Sequence, residues 1–148
     1  MFLYSCSEFY IAMKKLFSTS VSDTALSMAL LILRVGAGSA MMVKHGLDKL
    51  QHFSQKASGF ADPFGIGSKA SYSLSVFAEF FCAGFIILGL FTRLAAIPLV
   101  INMAVALFIA HKGNFYSEGE SAGIYLICFL VLLIAGPGKA SLDGLIGK

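Results

Sequence analysis

Four long apolar stretches constrain the fold of this chain more than any other feature. They cover about residues 25–43, 72–91, 94–110 and 121–136, and hydrophobic residues make up 57% of the sequence. An α-helix needs roughly 20 apolar residues to cross a hydrocarbon core about 30 Å thick. The stretches are continuous, whereas barrel strands alternate between apolar and polar residues. We therefore predict an all-α integral membrane protein, a four-helix bundle with up-down topology.

The four spans are expected to form one domain over residues 25–145, because 148 residues leave room for little else. An N-terminal segment, residues 1–24, precedes this domain and is weakly patterned. Met13 could itself serve as a start, which would make residues 1–12 a non-native extension.

The connections between spans carry clear helix and turn signals. Residues 44–53 have a spacing that could continue the first helix to the interface, and the Gly- and Pro-rich residues 59–67 favour irregular backbone. Spans 2 and 3 are joined by only Thr92 and Arg93, which predicts a tight hairpin. Gly136 and the Pro-Gly after it are expected to end the fourth helix.

The charge pattern fits a lipid bilayer as the partner and gives no sign of nucleic acid binding. The formal net charge is +3, and no run of basic residues is present. With four spans, five basic residues fall on each side, so the positive-inside rule is tied. We expect a multi-pass protein of the cytoplasmic membrane, with both termini on the cytoplasmic side.

Three of the predicted spans carry one strongly polar residue near mid-depth: Arg34, Glu79 and Asn102. An isolated charge at the centre of a bilayer costs on the order of 2.5–3.5 kcal/mol on insertion scales. We therefore predict a contact between Arg34 and Glu79, with Asn102 bonded to either. Such a centre could be a structural clamp that fixes helix register, or a proton relay or ligand site.

One face of the first helix carries a stripe of residues at helical spacing: Arg34, Gly38, Met41, His45 and Lys49. His45 and Lys49 are predicted to lie at the mouth of the bundle, at the same membrane side as His111. These three residues are candidates for ligand binding, for example to a quinone head group. The alternative is that they are ordinary interfacial side chains, and a haem pair is disfavoured because both histidines lie at the interface.

The remaining residues of chemical interest are assigned structural roles. The three cysteines, Cys6, Cys82 and Cys128, form no Cys-x-x-Cys motif or Cys/His cluster, so no metal site is predicted. Aromatic residues near the span ends, among them Tyr72 and Tyr125, are assigned to the interfacial belt.

Several short motifs occur in a fixed order along the chain. They are His45-Gly46 with Lys49-Leu50, Glu79 with Gly84, Leu88-Gly89-Leu90-Phe91-Thr92-Arg93, Gly136-x-Gly138, and Ser141-Leu142-Asp143. In this order, within four spans, the chain resembles the DoxX family of small four-span membrane proteins. The likeness covers roughly residues 25–145, and its motif residues include Gly46, Arg93, Ser141 and Asp143.

The resemblance implies a membrane subunit of a quinone-linked oxidoreductase, because the related DoxD proteins form part of thiosulfate:quinone oxidoreductase. The chain would then be at most one subunit without a self-contained catalytic site. Quinone would be the cofactor, and a protein partner would supply the electrons. The alternative is a non-enzymatic membrane scaffold, assembly factor or small-solute carrier, alone or as a homo-oligomer. A channel ranks lower, because four short spans enclose little space.

Overall fold

A computed structural model describes residues 17–147 of the chain, and these residues are helical with no β-strand. The predicted all-α class is therefore confirmed. The main helices are α1 (Asp23–Gln51), α2 (Ser68–Leu88), α3 (Thr92–Ala110), α4 (Glu120–Ala135) and α5 (Leu142–Ile146). Cys6 and the alternative start at Met13 lie outside the described residues.

Three of these helices are long and apolar enough to cross a membrane. They are α1 with 29 residues, α2 with 21 and α3 with 19. The apolar helix α4 has 16 residues and is therefore about 24 Å long at 1.5 Å per residue. That all four helices cross the bilayer in up-down order stays a prediction.

Consecutive helices pack in antiparallel pairs. Gly46 near the end of α1 contacts Glu79 in the middle of α2, and Gly38 contacts Ala83 further along α2. The guanidinium of Arg93, at the start of α3, donates to the carbonyl of Ile134 at the end of α4. The side chains between the helices form one main apolar core, and a smaller cluster of Ala57, Tyr72 and Val76 lies near the α1–α2 connection.

That core contrasts with the outer surface of the helices. Fully buried side chains come from all four long helices and include Met41, Ile86, Leu99, Phe129 and Leu132. Large apolar side chains also point outwards and are more than half exposed, for example Ile32, Leu74, Leu94, Phe108 and Ile134. A belt of exposed apolar residues around an apolar core is expected for helices that face lipid.

The helix boundaries differ from the predicted spans in two places. The first helix continues to Gln51, as the spacing of residues 44–53 indicated, so it is longer than the apolar stretch alone. The turn between α2 and α3 lies at residues 89–91, because Gly89 adopts a left-handed conformation (φ +68°) that ends α2. Thr92 and Arg93 therefore begin α3 and are not its preceding loop.

The other boundary signals were correct. Residues 60–67 contain no regular helix. Gly136, with φ +85°, ends α4. Ser141 caps α5, because its hydroxyl accepts a hydrogen bond from the backbone N–H of Gly144.

Candidate functional site

A buried carboxylate on α2 is the centre of the candidate site. Glu79 Oε2 lies 2.5 Å from the Nζ of Lys49 on α1. Its other oxygen, Oε1, accepts hydrogen bonds from Asn102 Nδ2 on α3 at 2.8 Å and from Ser75 Oγ on α2 at 3.1 Å. The Glu79 side chain is only 4% exposed. Three donors from three helices therefore compensate for the removal of this carboxylate from water.

The helices that form this centre are locally unwound and closely packed. Glu79 lies in a π-helical segment, Phe77–Cys82, and faces a second π-helical segment, Met42–Gly46, on α1. A Cβ on Gly46 would come within 2.5 Å of the backbone oxygen of Glu79. The missing side chain lets α1 and α2 approach closely enough for Lys49 to reach Glu79. π-Helical turns of this kind occur frequently at functional sites.

His45 lies beside this centre with an unused ring nitrogen. Its ring packs edge-on against Tyr125 of α4, with 5.7 Å between the ring centroids. Its Nε2 atom is buried and has no hydrogen-bond partner among the described residues. Buried polar atoms are normally bonded, so this nitrogen could bond a polar ligand atom. Such a ligand would also lie within the electrostatic reach of Glu79 and Lys49, whose charges act on His45.

The predicted contact between Arg34 and Glu79 was wrong. Arg34 is 3% exposed, and its guanidinium donates to the backbone carbonyls of Ile87 and Ala140. The physical reason is the helix register. Because α1 extends to Gln51, antiparallel packing sets Lys49, and not Arg34, opposite Glu79. Glu79 and Ile87 are eight residues apart, which is about 12 Å along a helix.

Arg34 belongs instead to a structural junction at the other end of the bundle. Asp143 of α5 accepts the backbone N–H groups of Phe91 at 2.7 Å and Thr92 at 2.9 Å. Its own N–H donates to the carbonyl of Gly89. Burial raises the pKa of Asp143, but hydrogen bonds from Thr92 and Phe91 and the charge of Arg34 together outweigh this and hold the pKa below its ordinary value. The short helix α5 is thereby fixed to the turn between α2 and α3.

Further contacts hold the same junction together. The backbone N–H of Ala140 donates to the hydroxyl of Ser27 on α1 at 3.1 Å. Lys139 forms an exposed ion pair of 2.7 Å with Asp23 at the start of α1. Together these contacts connect the segment after α4 to the first turns of α1.

The candidates from the sequence therefore separate into two groups. Glu79, Asn102 and Lys49 are brought together, with His45 beside them. His111 follows the last residue of α3, and its side chain makes no hydrogen bond or ion pair to any described residue. The structure does not bring His111 into the centre.

Of two tyrosines assigned to the interfacial belt, Tyr72 is buried and Tyr125 is half-buried. Tyr72 is 1% exposed, and its hydroxyl donates to the backbone carbonyl of Lys49 at 3.0 Å. Tyr125 packs between His45 and Phe129. Ser75 was missed altogether, although its position one turn before Glu79 was a usable signal. Within residues 17–147, no three His, Cys, Asp or Glu side chains are grouped so as to hold a metal ion.

Comparison with known proteins identifies the family of this chain. The DoxX family model matches residues 29–112, which is more than half of the chain. The chain belongs to the DoxX family. An uncharacterised protein from Haemophilus influenzae is 36% identical over 112 residues, which cover 70% of this chain and 80% of the relative. A second uncharacterised protein from that organism is 30% identical over 101 residues, or 65% of this chain and 67% of the relative.

A third relative is named as a membrane protein. It is an uncharacterised membrane protein from Mycobacterium tuberculosis, 28% identical over 123 residues, which cover 73% of this chain and 76% of the relative. No solved structure matches the chain significantly. The apolar helices and the family together make this DoxX chain a membrane protein.

The four motif residues on which the sequence resemblance was based have distinct positions in the structure, and Ser141 and Asp143 lie outside the matched residues 29–112. Gly46 lies at the close contact beside Glu79. Arg93, Ser141 and Asp143 lie at the junction of α5 with the other helices. The motif residues therefore belong partly to the candidate site and partly to the framework that holds the bundle.

Proposed function

We propose that this DoxX protein is the membrane subunit of a quinone-linked oxidoreductase complex, in which Glu79 and Lys49 move a proton. The observation that supports this most is the buried Glu79 carboxylate, with an ammonium at 2.5 Å and an unpartnered histidine nitrogen beside it. Intramembrane ionisable residues commonly mark proton or substrate pathways.

The residues present fit a quinone head group. His45 Nε2 and Lys49 Nζ can each donate a hydrogen bond to a carbonyl oxygen, and both belong to the first helix. A bound quinone would accept two electrons and two protons. Lys49 would hold a proton near the ligand oxygen, Glu79 would stabilise the positive charge of Lys49, and Asn102 and Ser75 would keep Glu79 in place.

The electrons would come from another protein. We propose that a partner subunit, or a homo-oligomer together with such a partner, carries the donor. We also propose the cytoplasmic membrane as the location, with both termini on the cytoplasmic side. The lipid-facing helices support a bilayer location in general.

An oxidised-minus-reduced absorption spectrum of the protein, purified in mild detergent with its native lipids, tests this proposal. A quinone signal stoichiometric with the protein is the expected result. A flat spectrum from well-folded protein would contradict quinone binding by this subunit.

The second candidate is a membrane scaffold or assembly factor. It is favoured by the junction around Arg34 and Asp143, where buried polar groups bond only to the chain itself. In a scaffold, the Glu79 centre would have the same purely structural role. Folded protein that binds no quinone would support this candidate.

A further inference from the structure

We propose that Glu79 exchanges protons with the aqueous phase at only one face of the membrane, the face of the α1–α2 connection. Lys49 is the residue through which this exchange occurs. The inference builds on the proposed proton role of Glu79, but its test requires neither quinone nor turnover.

Lys49 is more exposed than Glu79, and this difference identifies the end of the proton route that opens to the surface. The Lys49 side chain is 21% exposed, whereas the Glu79 side chain is 4% exposed. Lys49 lies two residues before the end of α1, next to the connection that leads to α2. Its side chain therefore reaches from the surface of the bundle to the buried carboxylate.

The opposite direction is closed by an apolar layer. Between the levels of Glu79 and Arg34, the interior consists of side chains with almost no exposure: Met41, Ala83, Ile86, Leu99, Phe129 and Leu132. This layer spans on the order of 12 Å, judged from the eight residues between Glu79 and Ile87. Apart from the weakly polar sulfur atoms of Met41 and of the buried Cys82, these side chains offer no donor or acceptor to carry a proton across.

Arg34 reinforces the closed end electrostatically. Its charge is buried beyond the apolar layer, where it bonds to the backbone carbonyls of Ile87 and Ala140. The nearby carboxylate of Asp143 is itself bonded to two backbone amides. A fixed positive charge at this level disfavours the passage of a proton from that face.

The groups that face Glu79 define the proton step. They are Lys49 and His45 from α1, Ser75 from α2 and Asn102 from α3, and Tyr125 of α4 backs His45. Only Lys49 is both charged and bonded to the carboxylate. When the Nζ–H bond breaks and an Oε2–H bond forms, Lys49 becomes a neutral amine and Glu79 a neutral acid. Lys49 then recovers a proton from water at the surface.

Thiol labelling from each side of the membrane tests this inference. The full chain, with Cys6, Cys82 and Cys128 replaced by alanine, is reconstituted in vesicles of one orientation. A membrane-impermeant thiol reagent is then added to one face at a time. Lys69→Cys reports the face of the α1–α2 connection, and Lys139→Cys reports the opposite face, because both lysines are exposed. Met41→Cys, in the apolar layer, is the buried control.

We expect Lys49→Cys to be labelled from the same face as Lys69→Cys and not to be labelled from the other face. Met41→Cys is expected to remain unlabelled from both. Labelling of Lys49→Cys from the Lys139 face, or from neither face, would overturn the inference. If Lys49→Cys does not fold, Ser75→Cys, which keeps the ion pair, is judged by the same outcomes with a small membrane-impermeant thiol reagent.

Discussion

Glu79 and Arg34 show how one buried charge can be functional and another structural. Both are about 3% exposed. The two terminal nitrogens of Arg34 donate to backbone carbonyls, which cannot change protonation, whereas Glu79 accepts from an ammonium, an amide and a hydroxyl. Only the Glu79 centre contains two groups that can exchange a proton, so chemistry is expected there.

Replacing Lys49 tests the ion pair at the level of single residues. Lys49→Met leaves a buried carboxylate unpaired, which costs about 3–5 kcal/mol for a fully buried pair. Because Lys49 is partly exposed, we expect a loss of about 2–3 kcal/mol in unfolding free energy. Thermal unfolding in detergent measures this loss. The double variant Lys49→Met/Glu79→Gln should recover most of it, and equal instability of the two variants would argue against the pair.

Gly46 offers a second test of the same centre. A methyl group at Gly46 would meet the backbone of Glu79 and Phe80 at under 3 Å, so Gly46→Ala must push α1 and α2 apart. We expect a clear loss of thermal stability and of quinone binding.

Gly36 on the same helix provides the matched control for Gly46. No atom lies within 4 Å of a Cβ placed there. Gly36→Ala should therefore leave stability unchanged or raise it by up to about 1 kcal/mol through helix propensity. Similar effects of the two alanine substitutions would contradict the close-contact explanation.

At the level of elements, the short helix α5 acts as a cap on the turn between α2 and α3. The Asp143 carboxylate satisfies the N–H groups of Phe91 and Thr92, where α3 begins. Phe91 has φ +48°, a conformation that is unfavourable for a non-glycine residue. The two hydrogen bonds from Asp143 help to hold the turn in this conformation.

This arrangement predicts a pH dependence of stability in the acid range. The folded-state pKa of Asp143 lies below its ordinary value of 3.8. The stabilisation is therefore complete above that ordinary value and is lost as the pH falls through the folded-state pKa. Asp143→Asn should be less stable than the parent at neutral pH, and the difference should shrink as the solution is acidified.

Thermal unfolding of the parent and of Asp143→Asn between neutral pH and about pH 3 measures this difference. Because the parent and Asp143→Asn both contain Asp62, comparing them cancels the pH dependence of stability that Asp62 contributes. The pKa of Asp62 is also lowered, mainly by a hydrogen bond from the backbone of Gly67 and further by bonds from Ser71 and Ile66. A difference that stays constant with pH would contradict the role of the Asp143 charge.

For the whole molecule, the sequence predicted well the features that depend on composition, such as helical class. It predicted poorly the features that depend on the register between helices, such as which residues face each other. The helical class and most helix ends follow from apolar runs and from glycines such as Gly136. The pairing of Glu79 with Lys49 does not follow from these patterns, because it depends on how far α1 continues beyond its apolar stretch. The eight helical residues after Val43 bring Lys49, and not Arg34, to the level of Glu79. The position of Tyr125 between His45 and Phe129 likewise depends on packing that no local pattern encodes.

Quinone binding by a folded protein without the ion pair is the most direct test of the central claim. A short-chain quinone is titrated into the wild-type chain, the double variant Lys49→Met/Glu79→Gln, and the control Lys69→Met, all shown to be folded by thermal unfolding. We predict that the double variant loses about tenfold or more in affinity, as expected when a charge-assisted hydrogen bond worth ~1.5–3 kcal/mol is removed. Lys69→Met should bind as the wild type does. Wild-type affinity in the folded double variant would contradict a functional role for the Lys49–Glu79 centre.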